Sequence, residues 1–296
     1  MSNVGAYVAL MKLRVVELLL VTTLPALFMA TYAQNHLHKF PPLGITIATL
    51  IGGTLAAGAS NAFNMVIEVE SDRLMKRTSK RPLVSGEVTV QQAVAFSFVI
   101  TILSLLIFLI FTTVLATLLT LLAIVFYVLI YTIWLKRRTS QNIVWGGIAG
   151  CMPVLIGWAA ITNSLSTTAW LFFLLIFFWT PPHFWALAIK YKDDYAAAGI
   201  PMLPVVASLK SVQKQMWFHS VLMATVSILV LVSAHLPWWS YVITAALTVG
   251  FGTELVKISG SDSERAAVRL FHWSITYLSV YSLVLVIATI FARHAV

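Results

Sequence analysis

Long uncharged runs broken by short charged clusters set the pattern of this chain. No Asp, Glu, Lys or Arg occurs in residues 18–38, 40–67, 88–135, 139–189, 215–253 or 270–292. A helix needs about 20 apolar residues to cross the hydrocarbon of a bilayer. The first, second and last runs therefore supply one crossing each. The other three are long enough for two, with turns expected near Thr112–Thr113, at Thr162-Asn163-Ser164 and at Leu236-Pro237-Trp238-Trp239. The total is nine. Alternation with a period of two is absent, and lipid offers no hydrogen-bond partners to open strands, so the crossings are expected to be helical. The expected fold is all-α: a polytopic membrane protein forming one domain over residues 1–296. The run from Leu18 outlasts a signal sequence and lacks a small-x-small cleavage site, so it is read as a span.

Composition strengthens this picture. The chain is 60% hydrophobic and 10% charged, whereas a soluble domain carries about 25% charged residues. Its one cysteine, Cys151, lies inside an apolar run, which excludes a disulfide framework and a Cys-based metal site. The net charge of +9 does not mark a nucleic-acid binder. The basic residues form short clusters between apolar runs, and no soluble segment is long enough for a binding domain.

Charge also sets orientation. Of 19 Lys and Arg, only Lys39 and Arg293 follow an odd-numbered span. The other 17 precede span 1 or follow an even one, which places the N-terminus in the cytoplasm and the C-terminus outside. All ten acidic residues fall on the same side as those 17, which the positive-inside rule does not require. Polar chemistry is therefore expected at the cytoplasmic face. His36, His38, His235 and His294, with Trp238 and Trp239, read as interfacial residues of the outer face.

Span 2 runs inward and ends in Asn61-Ala-Phe-Asn64-Met-Val-Ile-Glu68-Val-Glu70-Ser-Asp72-Arg73. On a continuing helix Asn61, Asn64, Glu68 and Asp72 fall within roughly 80° of one another, Lys76 lies close by, and Glu70 points away. Two readings stay open on spacing alone. One is a solvated helix end with Glu68 or Asp72 paired to Lys76 and Arg73. The other is a divalent-cation site at a cavity, because carboxylates near hydrocarbon are costly unless paired or coordinating. Arg73, Lys76, Arg77, Lys80 and Arg81 follow at once, as a metal-bound diphosphate would require: carboxylates for the metal, cations for the phosphate oxygens.

Span 6 also runs inward, through Pro182-His183-Phe184-Trp185 to Lys190-Tyr191-Lys192-Asp193-Asp194. If the helix continues, His183, Lys190 and Asp194 share one face. A shift of 122 residues lays the first motif on the second with six identities over residues 61–92, including Asp72 on Asp194 and Pro82 on Pro204, against about two by chance. This suggests an internal repeat, spans 2–5 and 6–9, forming two related four-helix units around a cytoplasm-facing cavity.

The run Asn64-x-x-x-Glu68-x-x-x-Asp72, followed by Met75-x-Arg77-Thr78-x-x-Arg81-Pro82-Leu83, resembles the first acidic motif of the UbiA-type intramembrane prenyltransferases. Tyr131 to Lys136-Arg137, Asn142 and Gly146-Gly147, Gly150 to Trp158, and Pro182 through Pro204 agree with the same family, as do Lys12-x-Arg14-Val15 and Arg269-Leu270-Phe271. The span 6 stretch is closest to the branch that farnesylates haem. Glu68 and Glu70 stand where the family usually has Asp, and Leu13 where it usually has Pro.

The resemblance implies transfer of a farnesyl group from farnesyl diphosphate to a vinyl group of haem b, giving haem O for terminal oxidase assembly, in the inner cell membrane. It implies Mg²⁺ held by Asn64, Glu68, Asp72 and Asp194, which form the catalytic set. Arg77, Arg81, Lys136 and Lys190 are the diphosphate candidates. Tyr131, His183 and Trp185, with Tyr127 and Phe184, are candidates for the acceptor or prenyl pocket. His183 is weighed as an iron ligand against a hydrogen-bonded bundle residue. Implied partners are the two substrates, the bilayer, and haem A synthase or terminal oxidase assembly proteins. The alternatives are a related prenyltransferase with a quinone-precursor or chlorin acceptor, and a transporter of an anionic lipid or cofactor.

Overall fold

The computed structural model describes residues 3–34, 40–258 and 263–292. Among them, nine helices are long and apolar enough to cross a membrane. A short α1 (Asn3–Leu10) precedes α2 (Leu13–Gln34) and α3 (Leu43–Ile67), and the brief α4 (Val69–Leu74) follows directly. Then come α5 (Val90–Phe111), α6 (Val114–Val125), a π-helical segment (Phe126–Leu135) that continues α6 as one span, and α7 (Asn142–Thr162). The second half holds α8 (Thr167–Lys190), the short α9 (Lys192–Ala197) and α10 (Leu203–Val206), then α11 (Leu209–Ser233), α12 (Trp238–Val256) and α13 (Ser263–Phe291).

The expected turns all fall where the sequence places them. Thr113 caps α6 by accepting from the Ala116 N–H, and its hydroxyl donates to the Ala159 carbonyl of α7. Asn163 closes α7 in the left-handed region (φ 50°), which Asn tolerates better than most residues. Pro237 precedes α12. Several span limits differ from the uncharged runs. α2 begins at Leu13, α11 at Leu209 and α13 at Ser263, while α8 runs on to Lys190 and α12 to Val256, so Arg14, Glu17, Lys210, Lys214, Glu254, Arg265 and Arg269 lie within two turns of a helix end. Long charged side chains can reach water from a helix end, so charge alone does not stop a span. Lys39, Arg293, His36, His38 and His294 lie outside the described residues.

Burial sorts the spans into a centre and a rim. Two-thirds of the α8 window is packed inside the protein, and 61% of α7, against 22% for α5 and 17% for the α6 span. The rim helices show Ile102, Leu106, Ile110, Leu118 and Leu122 outward, as lipid-facing surface should. The main core joins α2, α7, α8, α11 and α13. A smaller cluster packs Ala6 and Leu10 of α1 on Ala62 and Met65 of α3, with Leu83, Val88 and Ala93. It seats α1 against the acidic end of α3.

Both acidic helices end alike. α3 breaks at Glu68 (φ −100°, ψ 7°) and α8 at Tyr191 (φ −106°, ψ 28°), and each is followed by a six-residue helix.

Candidate active site

The helical spacing survives the break at Glu68. Its N–H donates to the Asn64 carbonyl (3.0 Å), and the Asp72 N–H donates to the Glu68 carbonyl (2.8 Å). Asn61, Asn64, Glu68 and Asp72 are accordingly all buried, at 5% exposure or less. Glu70 points into solvent and pairs with Arg73 at 3.0 Å. That outcome matches the expected face. The expected partners do not. Glu68 Oε1 meets Lys136 Nζ at 2.5 Å, and Asp72 Oδ2 is held by Arg81. Lys76 is exposed, because the helix ends in an extended residue at Met75 and carries Lys76 off the row.

Four segments converge on this row. The π-helical segment brings Thr132 and Lys136. Its backbone closes with a wider loop, from the Lys136 N–H to the Tyr131 carbonyl (3.0 Å), five residues back. Such segments are rare and concentrate at functional sites. Thr132 accepts from Asn64 Nδ2 (3.3 Å) and donates to the Tyr127 carbonyl (2.9 Å). Tyr131 lies in a slot on α7 where Gly146 has no side chain, since a Cβ there would overlap its ring. The Arg77–Arg81 loop is closed by Thr78, which donates to the Asp72 carbonyl (2.8 Å). Arg137 bonds Ser71.

Lys12 is the residue that pattern reasoning left out of the site. It sits between α1 and α2 with φ 51°, an uncommon conformation for a side chain of its size. Its ammonium donates to Asn64 Oδ1 at 2.8 Å. Burial, then the nearby Arg81, pushes its pKa well below the usual lysine range, while Glu68 and Asp72 pull the other way. Burial would raise the Glu68 pKa, but Lys136, by charge and hydrogen bond, and then Lys12 and Arg81 outweigh it and hold the carboxyl below its usual range. A charged residue ahead of the first span was the available signal.

Asp194 reaches the same region from α9. Its Oδ2 accepts from the Arg77 N–H at 3.4 Å. The Arg77 guanidinium lies 5.5 Å from the Tyr191 ring centre and 6.0 Å from that of Tyr195. The ends of α3 and α8 thus meet through the Arg77 loop. His183 and Lys190 both face α13, through Phe271 and Val268, whereas Asp194, beyond the break at Tyr191, meets Arg77.

The expected pocket residues separate as well. His183 is buried between Trp179 and Phe271, with ring centres 4.2 and 4.6 Å away. The Ser274 hydroxyl donates to the Phe271 carbonyl (2.6 Å), so it accepts from His183 Nδ1–H, at 2.6 Å. This is the hydrogen-bonded bundle arrangement. Trp185, two residues on, points across α8 toward His219 of α11 and is fully buried. Tyr131 stays at the acidic row, tilted on Tyr127 at 5.3 Å, with Lys136 6.0 Å from its ring centre. Phe184 stands edge-on to His183 at 5.0 Å.

Among the described residues, no three His, Cys, Asp or Glu side chains gather closely enough to hold a metal ion by themselves. One observation nevertheless fits a cation. Asp72 is 1% exposed and its Oδ1 has no partner. A buried carboxylate oxygen without a partner is costly, and a hard divalent ion takes such oxygens. The residues suit a metal arriving with its own phosphate ligands, the manner in which Mg²⁺ is usually bound.

Fold and site together define an integral-membrane enzyme whose charged face handles an anionic group at the edge of an apolar helical bundle. The chain belongs to the UbiA prenyltransferase family, whose model matches residues 19–275. It is 45% identical over 286 residues to the protoheme IX farnesyltransferase of Streptomyces avermitilis, covering 94% of this chain and 92% of that one. Solved structures share its fold at low identity. A digeranylgeranylglyceryl phosphate synthase superposes with a TM-score of 0.77 at 16% identity, covering 98% of this chain and 99% of the other. A UbiA homolog from Archaeoglobus fulgidus bound to GPP and Mg²⁺ gives 0.66 at 16% identity, covering 95% and 99%.

Proposed function

We propose that the protein transfers the farnesyl group of farnesyl diphosphate to a vinyl group of haem b, forming haem O. The allylic C1–O bond breaks and diphosphate leaves. Farnesyl C1 bonds to the terminal vinyl carbon, and a water oxygen adds to the carbon beside the ring while its proton is released. The observation that carries this reading is the 45% identity, over nearly the whole chain, to protoheme IX farnesyltransferase.

The site geometry supports it. Bond ionisation places negative charge on the diphosphate, and preorganised cations lower that barrier most. Arg81, Lys136 and Lys12 are partly buried and surround the carboxylate row; Arg77 stands at its edge. Mg²⁺, when bound with diphosphate, would supply further charge neutralisation of the leaving group, with Asp72, Glu68, Asn64 and Asp194 as its protein ligands. Glu68 and Asp72 now neutralise Lys136 and Arg81. With Mg²⁺ and diphosphate bound, Glu68 and Asp72 would hold the metal, leaving Lys136 and Arg81 to the phosphate oxygens. Glu68 reaches one methylene further than an aspartate would.

The N-terminal side of the membrane is proposed to be cytoplasmic, as the charge distribution requires. A transporter would place charges and broken helices near the midplane. Here both breaks, at Glu68 and Tyr191, lie at span ends. Incubating the purified protein with haem b, farnesyl diphosphate and Mg²⁺ should yield haem O by mass spectrometry. Folded protein that forms none with any divalent cation would overturn the reading.

A further inference from the structure

We infer that Thr132 is a positioning residue, whose hydroxyl orients the Asn64 amide so that its oxygen, not its nitrogen, faces the cation beside it. This rests on Asn64 belonging to the metal set and adds what aims it. Both side chains are buried. An amide has an oxygen that only accepts and a nitrogen that only donates. The two ends are alike in size, so partners and not shape must choose between them. Lys12 stands on one side. Its ammonium can only donate, and it meets Oδ1 at 2.8 Å. Thr132 stands on the other. Its hydroxyl has one proton, which goes to the Tyr127 carbonyl at 2.9 Å. Toward Asn64 it can therefore only accept, and it takes the Nδ2–H at 3.3 Å. Two one-way partners set the same orientation.

The π-helical register is what places that hydroxyl. Several threonines in the α-helices of this chain turn back to the carbonyl four residues before them, as Thr101 does to Ser97, Thr120 to Ala116 and Thr180 to Ile176. That contact is ordinary for a helical threonine. Thr132 instead reaches five back, to Tyr127, within the segment whose Lys136 N–H also closes five back, on Tyr131. The wider turn re-aims the side chains that follow it, relative to a continuing α-helix. Tyr131, seated in its slot at Gly146, fixes the residue next to Thr132 against α7. A hard divalent ion takes oxygen ligands, so a flipped amide would present it with the wrong atom. Lys12 holds the oxygen only while its ammonium is not shared with phosphate. Thr132 has no such second demand.

Manganese(II) is the probe, followed by loss of its free-ion electron paramagnetic resonance signal. The full-length protein in zwitterionic nanodiscs is titrated with it in the presence of an unreactive farnesyl diphosphate analogue, in which sulfur replaces the bridging oxygen. Thr132→Val keeps the shape and removes the acceptor. It is expected to bind the ion about tenfold more weakly, and Thr132→Ser should restore wild-type affinity. Binding of the analogue without metal should stay unchanged in both variants, which a distorted site would not allow. An Asn64→Asp background separates orientation from packing. A carboxylate offers oxygen on either side and needs no aiming, so adding Thr132→Val there should change ion affinity by about twofold or less. Equal ion affinity in the wild type and Thr132→Val overturns the proposal. So does an equal loss in both backgrounds, failure of Thr132→Ser to restore affinity, or a wild type that takes up no ion with the analogue. Haem O formed by the wild type, with ion affinity unchanged in Thr132→Val, rejects the positioning role and keeps farnesyl transfer. Ion binding weakened in Thr132→Val and restored in Thr132→Ser, in protein that makes no haem O, supports the positioning role and rejects the transfer.

Discussion

Asp72 carries the sharpest assignment at the level of single residues. It is the most buried carboxylate of the row, with one oxygen on Arg81 and the other without a partner. Asp72→Ala should lower turnover by on the order of a hundredfold or more while the protein still inserts, and Asp194→Ala should do likewise. Full activity in either, measured as haem O formed, removes that residue from the metal set. Glu70 provides the contrast. It faces solvent beside Arg73, where an ion pair contributes at most about 1 kcal/mol, so Glu70→Gln should retain near-normal turnover. For Lys12, the Lys12→Met variant should fold but bind farnesyl diphosphate about tenfold more weakly, read as a KM increase. An unchanged KM would reduce Lys12 to a tether for α1.

Elements deliver these residues, and here the sequence reveals less. Glu68, Asp72 and the outward Glu70 were legible because helical periodicity needs only the local spacing, and it persisted through the break. Their partners were not. Lys136 and Arg81 come from other segments, and a π-helical register has no sequence signature comparable to the 3.6-residue repeat. The shared face of His183, Lys190 and Asp194 holds in part: His183 and Lys190 face α13, while Asp194, past the break at Tyr191, meets the Arg77 loop. Gly146 shows how one element sets another. Gly146→Ala would press a methyl group into the Tyr131 ring and displace the segment carrying Lys136. Overpacking of this sort costs about 1–3 kcal/mol. Thermal melting should fall accordingly, and haem O formation should fall further than the melting shift alone explains.

Across the whole molecule, topology was the most legible level, because nine spans follow from runs of uncharged residues and the physics of lipid. A cysteine at Ser79 should react with a membrane-impermeant thiol reagent from one side only, and a cysteine at Ser164 from the other. Cys151 is buried and should stay silent. Labelling of both from the same side would refute the nine-span path. The described turns at Thr112–Thr113, Thr162–Ser164 and Leu236–Trp239 contain no charged residue, and the carboxylate row stops at the ends of α3 and α8. The catalytic ions therefore enter and leave by the same door, with apolar protein beneath them. An enzyme so built can release a multiply charged product into water without opening a path for ions through the bilayer.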